Sequence, residues 1–291
     1  LEWVRLTHSI PEPYGLVIKT PVGKIFHTAD WKLDPKPVIG EPYDERRYKQ
    51  LGSENISAMV CDSTNATLQG HSLSEAKLFS GLADLVAAAP QRVVVACFGS
   101  NVARLQTLAK VAHATERRMG LIGRSMVTMG STAQICDVVD EHFQPIDAAH
   151  LGYLPREEVL AVATGSQGEP RTALTRMAAG NHPHVDLEPG DTVIFSSKVI
   201  PGNEIAIGRI QNQLADMGVE MITDRQADIH VSGHPGRPEL AAMYGWIRPD
   251  IVVPVHGELR HMAEQTRFAE ECGVPKTILQ RNGDLVRLAP N

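Results

Sequence analysis

Glu2-Trp-Val-Arg-Leu6 reads as a short strand, its pattern roughly that of one half-buried in a sheet. Two apolar runs follow between Tyr14 and Asp30, and the Pro21-Val-Gly23 turn between them predicts a hairpin. The stretch from Asp34 to Glu54, rich in proline and charge, reads as a loop. Ile56 to Asp62 reads as a strand, and Ser72-Leu-Ser-Glu75 has capping-box spacing at the head of a helix reaching about Ala89. From Arg92 strands and helices alternate: Val93 to Phe98 before a helix from Asn101, Leu160 to Thr164 before one near Arg171, and Thr192 to Ser196 before one from Glu204. After Asp224 the pattern predicts a strand ending at Ser232, a helix from Pro238, a strand from Ile251 to Val255, a helix from Glu258 and two short strands around Asn282-Gly283. Such alternation implies a mostly parallel sheet with helices on both faces. A β-rich start, an α/β middle and an α/β return suit one domain inserted into another.

Composition narrows the class. With 291 residues, 43% of them hydrophobic, the chain can bury a large core. No apolar run approaches the ~20 residues that cross a bilayer, and no basic-then-apolar leader opens the sequence, so no membrane partner is expected and the cytoplasm is the default address. Cys61, Cys97, Cys136 and Cys272 are scattered without a CxxC pair and read as reduced packing thiols. A net charge of -6 gives no global basic field, so a nucleic-acid partner needs a local groove. The chain opens on Leu1, beside the short strand from Glu2, and reads as a fragment.

The candidate chemistry lies at strand ends, where α/β proteins build their sites. Four of the twelve histidines fall between His230 and His261, two in His230-Val-Ser-Gly-His234 and two in His256-Gly-Glu-Leu-Arg-His261. His8, Asp30 and His256 carry the imidazole and carboxylate donors that zinc or manganese accepts, although any one alone is more often a cap or a surface histidine. Asp62 beside His234 would orient an imidazole and hold a proton ready, whereas Asp62-Ser-Thr-Asn65 alone is ordinary turn chemistry. The Phe98-Gly-Ser-Asn101 and Thr164-Gly-Ser-Gln-Gly-Glu169 junctions could turn backbone N–H groups toward an anion, or merely cap helices. Ser196-Ser-Lys198 and Pro201-Gly-Asn-Glu204 carry the same ambiguity, and Lys198, Arg124 and Arg171 could supply phosphate-directed charge or stay solvated.

Taken together, Thr7-His-Ser-Ile-Pro11, Thr28-Ala-Asp-Trp-Lys-Leu-Asp-Pro35, Cys61-Asp-Ser-Thr-Asn-Ala66, Ala163-Thr-Gly-Ser-Gln-Gly-Glu-Pro170, Pro201-Gly-Asn-Glu204, His230-Val-Ser-Gly-His234 and Pro254-Val-His-Gly-Glu258 resemble ribonuclease J, of the metallo-β-lactamase superfamily with a β-CASP insertion. The resemblance runs in order from Thr7 to about Leu288. It implies a metallo-β-lactamase αββα sandwich, partial because its N-terminal part is missing, over 1–70 and 228–291, interrupted by a β-CASP α/β domain of mostly parallel sheet over 71–227. It implies His8, Asp30 and His256 as ligands of two divalent ions, zinc first with manganese or magnesium as alternatives. Asp62 and His234 match the acidic and second histidine motifs of the β-CASP branch, with Asp30, His234 and Asp62 catalytic and His234 protonating the leaving oxygen. Gly99, Ser100 and Asn101, with His230, Val231, Ser232, Gly233 and His234, would contact RNA. The implied reaction is hydrolysis of RNA phosphodiesters in mRNA decay and rRNA maturation, exonucleolytic from a 5'-monophosphate end and endonucleolytic, in a full-length homodimer or homotetramer.

Two departures bear on activity. The H-x-H-x-D-H motif of the superfamily is absent and so is the family's C-terminal domain, so the chain alone is expected to be inactive. Ala29 stands where the family shows glycine. The alternatives are a metallo-β-lactamase-fold hydrolase of small esters, against which Asp62, His234 and the insertion argue, and a non-catalytic RNA-binding or partner subunit.

Overall fold

The computed structural model describes residues 1–288 and separates the chain into two units, Leu1–Leu73 with Ser232–Asn291, and Ser74–Val231. In the first unit the alternating runs become a six-stranded sheet. Its strands, in order, are β1 (Glu2–Arg5), β2 (Tyr14–Thr20), β3 (Gly23–His27), β4 (Ile56–Asp62), β10 (Ile251–Val255) and β11 (Lys276–Thr277). β1 to β3 pair antiparallel, and β3, β4, β10 and β11 run parallel. Val4, Val17, Phe26, Met59 and Val252 share a core with α1 (Glu45–Gly52), α8 (Arg237–Ile247) and α9 (Leu259–Glu271), which contribute Tyr48, Leu51, Met243, Ile247 and Ala269. Trp3, Leu16, Ile18, Ile25 and Val60, at alternate positions, are less covered.

Helix α1 lies within the stretch expected to be loop. Asp44 caps it by accepting the Arg47 N–H at 3.0 Å, and Tyr48 and Leu51, three residues apart, face the core.

The second unit is a five-stranded, wholly parallel sheet in the order β6 (Arg118–Ile122), β7 (Val159–Ala163), β5 (Val93–Ala96), β8 (Thr192–Phe195), β9 (Glu220–Ile222). Every residue of β5, β7 and β8 is buried, as continuous apolar runs require when both faces are covered. Successive residues of β5 enter opposite cores. Val93 and Val95 meet residues of α2 (Leu78–Ala88) and α3 (Val102–Ala114), whereas Val94 and Ala96 meet those of α6 (Ala173–Ala178) and α7 (Glu204–Asp216). β6, α4 (Arg124–Ile135), the short α5 (Ala148–Leu151) and β9 are further elements that the sequence pattern left unassigned.

Three local expectations are corrected. Ser72 and Glu75 form no capping box. Ser74 caps a short 3-10 turn at Glu75–Lys77, and Glu75 is drawn to the fully buried Arg104, 2.5 Å from its Nε. The segment ending at Ser232 is no strand, because the Ile229 carbonyl accepts from the Arg104 guanidinium at 3.2 Å and the Ser196 hydroxyl at 2.7 Å in place of a ladder. Around Asn282-Gly283 the described residues form a turn, with no strand from Ile278 to Leu288. Among the described residues no helix is long and apolar enough to cross a membrane.

Candidate metal centre

β3, β4 and β10 lie side by side and parallel, with His27 opposite Val60 and Val255 opposite Asp62. Their carboxyl ends therefore converge, and the residues at or just beyond them are Asp30, Asp62 and His256. His234, on the turn before α8, joins them, and the four side chains bring one ligand atom each within 4.8 Å of one another. Two positions turn sharply to achieve this: Ala29 (φ 53°) and His256 (φ 56°) are left-handed, a conformation that disfavours a Cβ. The His27 Nδ1 accepts the Ala29 N–H at 3.0 Å, which secures the first turn.

Each residue of Asp62-Ser-Thr-Asn65 holds part of the centre. Asp62 accepts the His234 Nδ1–H at Oδ2, 2.6 Å away. The Ser63 N–H and hydroxyl both donate to the Val255 carbonyl, at 2.9 and 2.8 Å. Thr64 reaches the Asp62 carboxylate at 2.7 Å and the His256 carbonyl at 2.8 Å, and Asn65 donates to the Ser232 hydroxyl at 2.7 Å and the His234 carbonyl at 3.1 Å. Burial drives the Asp62 carboxyl upward, but hydrogen bonds from His234 and His256 outweigh it and keep the group well below the usual carboxylate range. The same bond to Asp62 raises His256 against its partial burial. Beneath the centre, burial pushes the Cys61 thiol to about 12, so Cys61 packs and does not react.

His8 stands beside this group but outside its ligand set. Its ring centroid is 5.2 Å from that of His234, and its Nδ1 lies 2.6 Å from the Gly233 carbonyl, which can only accept. The proton is thereby fixed on Nδ1 and the Nε2 lone pair is left available, the arrangement that metal-binding histidines use. Burial lowers the His8 pKa and favours that neutral ring. A Cβ on Gly233 would lie 2.3 Å from the His8 ring, and one on Gly257 would lie 2.3 Å from the Ser63 hydroxyl. Both glycines are needed for close approach. Two carboxylates, two imidazoles and an oriented third imidazole suit a divalent cation.

The remaining expected contacts divide between the units. Ser232, Gly233 and His234 belong to the first, and Gly99, Ser100, Asn101, His230 and Val231 to the second. Asn101 caps α3, accepting the Arg104 N–H at 2.9 Å. Sequence reasoning passed over Thr64, Asn65 and Ser72, whose hydroxyl donates to the His234 carbonyl. His182-Pro-His-Val-Asp186 copies five positions of H-x-H-x-D-H, but Leu187 fills the sixth and lies in the core, while the His182 Nδ1 accepts the backbone N–H groups of His184 and Val185.

The profile described as "Ribonuclease J, beta-CASP domain" matches residues 90–214, and that of the "Zn-dependent metallo-hydrolase RNA specificity domain" matches 220–278. Ribonuclease J of Sinorhizobium meliloti is 44% identical over 100% of this chain and 51% of its own length. The chain carries a ribonuclease J beta-CASP domain and is similar to ribonuclease J over nearly its whole length. Ribonuclease J 1 of Streptococcus pyogenes is 40% identical over 98% of the chain and 51% of its own length, and ribonuclease J of Thermus thermophilus is 36% identical over 99% and 51%. The chain thus spans about half the length of these ribonuclease J relatives. A solved protein of unknown function from Enterococcus faecalis shares the fold, with a TM-score of 0.61 and 14% identity over 97% of this chain and 62% of that one. The mixed α/β fold with parallel sheets is that of the metallo-β-lactamase superfamily, to which the matched beta-CASP and RNA specificity domains belong.

Proposed function

We propose that this chain is the part of a metal-dependent ribonuclease that carries its proton donor and a share of its cation ligands. Asp30, His256 and His8 would hold divalent ions, with zinc favoured by the match to a Zn-dependent domain and manganese or magnesium as alternatives. Bound there, such ions supply Lewis acidity toward a phosphodiester. The observation that carries the reading is the 2.6 Å contact between Asp62 and His234 inside the cluster. An ionised carboxylate only accepts, so the His234 Nδ1–H points at Asp62 and Nε2 faces away from it. A protonated His234 can then give its Nε2 proton to the 3' oxygen as the P–O bond breaks, while Asp62 stabilises and orients the ring.

RNA enters as substrate through the family likeness, with Gly99, Ser100, Asn101 and the His230 to His234 segment as its contacts. The same likeness supports attack both from a 5'-monophosphate end and internally, in mRNA decay and rRNA maturation, by a homodimer or homotetramer. His8, Asp30 and His256 alone are too few ligands for two ions, so the isolated chain should not cleave RNA. The test is single-turnover cleavage of 5'-monophosphorylated RNA by the longer protein. Asp30→Ala should abolish turnover, and His234→Ala should slow cleavage far more than it weakens RNA binding. Equal losses in binding and cleavage would remove His234 from the donor role, and hydrolysis of small esters with RNA left intact would sink the reading.

A further inference from the structure

The Thr64 hydroxyl meets three atoms that belong to two members of the centre. It lies 2.7 Å from Asp62 Oδ1, 2.8 Å from the His256 carbonyl and 3.0 Å from His256 Nδ1, and the Thr64 N–H adds a 2.9 Å bond to the same Asp62 oxygen. A hydroxyl has one proton to give and lone pairs to accept with, so it can serve an oxygen and an imidazole N–H at once. The other neighbours of His256 Nδ1 are also oxygens, Asp30 Oδ1 at 3.3 Å and Asp62 Oδ1 at 3.5 Å. His256 holds a left-handed backbone that a non-glycine residue keeps only when its surroundings impose it; the Thr64 hydroxyl can accept from its ring N–H while directing its single proton to Asp62 Oδ1, with the His256 carbonyl within reach of the same proton. Thr64 and His256 are 192 residues apart, so no local turn preference accounts for the contact.

We propose that Thr64 is a positioning residue of the cation site, its hydroxyl clasping the His256 turn to the Asp62 carboxylate and so setting where both side chains point. The inference rests on the reading of this cluster as a site for divalent cations. Groups that orient ligands in this way are worth about 10–100-fold in metal affinity.

The test is a manganese titration of the longer protein followed by electron paramagnetic resonance, with thermal unfolding recorded in parallel, for the unsubstituted protein, Thr64→Val and Thr64→Ser. Valine keeps the shape and removes the hydroxyl; serine restores it. Thr64→Val should weaken manganese binding about tenfold or more while melting cooperatively like its parent, and Thr64→Ser should bind within about threefold of the parent. Parent-like affinity in Thr64→Val, or equal weakening in Thr64→Ser, overturns the proposal. Should Thr64→Val fail to fold, Thr64→Ala is the second hydroxyl-free probe, and normal affinity there overturns it too. Absence of saturable binding by the unsubstituted longer protein would instead remove the cation reading, and this inference with it.

Discussion

His234 donates its Nδ1 proton to Asp62 Oδ2 across 2.6 Å, joining residues 172 apart in the sequence. An amide in place of the carboxylate can present either N–H₂ or oxygen to the ring, so the tautomer is no longer fixed. Asp62→Asn in the longer protein should therefore lower single-turnover RNA cleavage by roughly 100-fold or more with RNA affinity retained, the scale expected of a disabled proton donor. A parent-like rate would show that the pair does not serve the chemistry.

Ala29 sits at φ 53° directly before Asp30. Glycine occupies that conformation freely, although it adds freedom to the unfolded chain. Ala29→Gly should stabilise the protein by about 0.5–1 kcal/mol in urea unfolding. A loss of stability would mean that the surroundings already compensate for the alanine.

Arg104 is fully buried and ion-paired with Glu75. Glu75→Ala would leave the guanidinium without its counter-charge and should destabilise by about 3–5 kcal/mol. Replacing both partners, Arg104→Met with Glu75→Leu, should recover a large part of that loss, because no charge is then stranded. Additive losses in a double-mutant cycle by urea unfolding would refute the coupling.

Burial, aided by the nearby positive charges of Arg176 and His184, lowers His182 to about 4 from its ordinary 6.5. The unfolded chain then binds the extra proton first as acid is added. The contribution of His182 to stability should be complete above pH 6.5 and be lost as pH falls from there through about 4. The urea midpoints of the parent and His182→Asn, followed between pH 8 and roughly pH 4, should run parallel above the window and diverge within it, with the parent losing more. Parallel behaviour throughout would show that His182 is free to protonate in the fold.

What could be read from the letters follows from how local each feature is. Asp30, Asp62 and His256 end, or closely follow, apolar runs, so their placement at strand ends is visible, and the continuous runs of β5, β7 and β8 announce a sheet covered on both faces. Helix α1 is hidden because proline and charge dominate Asp34 to Glu54 and only Tyr48 and Leu51 reach the core. Ser72 and Glu75 have the spacing of a cap, yet their partners, the His234 carbonyl and Arg104, lie 162 and 29 residues away. Thr64 and Asn65 read as turn residues for the same reason: Asp-Ser-Thr-Asn is turn chemistry, and nothing adjacent reveals the two distant histidines that the turn holds.

The guanidinium of Arg104 grips Glu75, the second residue of the 74–231 unit, and Ile229, two residues before its last. Within the other unit, the Ser72 hydroxyl meets the His234 carbonyl in the same fashion. A guest whose two ends emerge together opens no gap in its host, so a segment of this kind can be grafted into a loop, exchanged for another or excised behind a short linker while the surrounding strands keep their pairing.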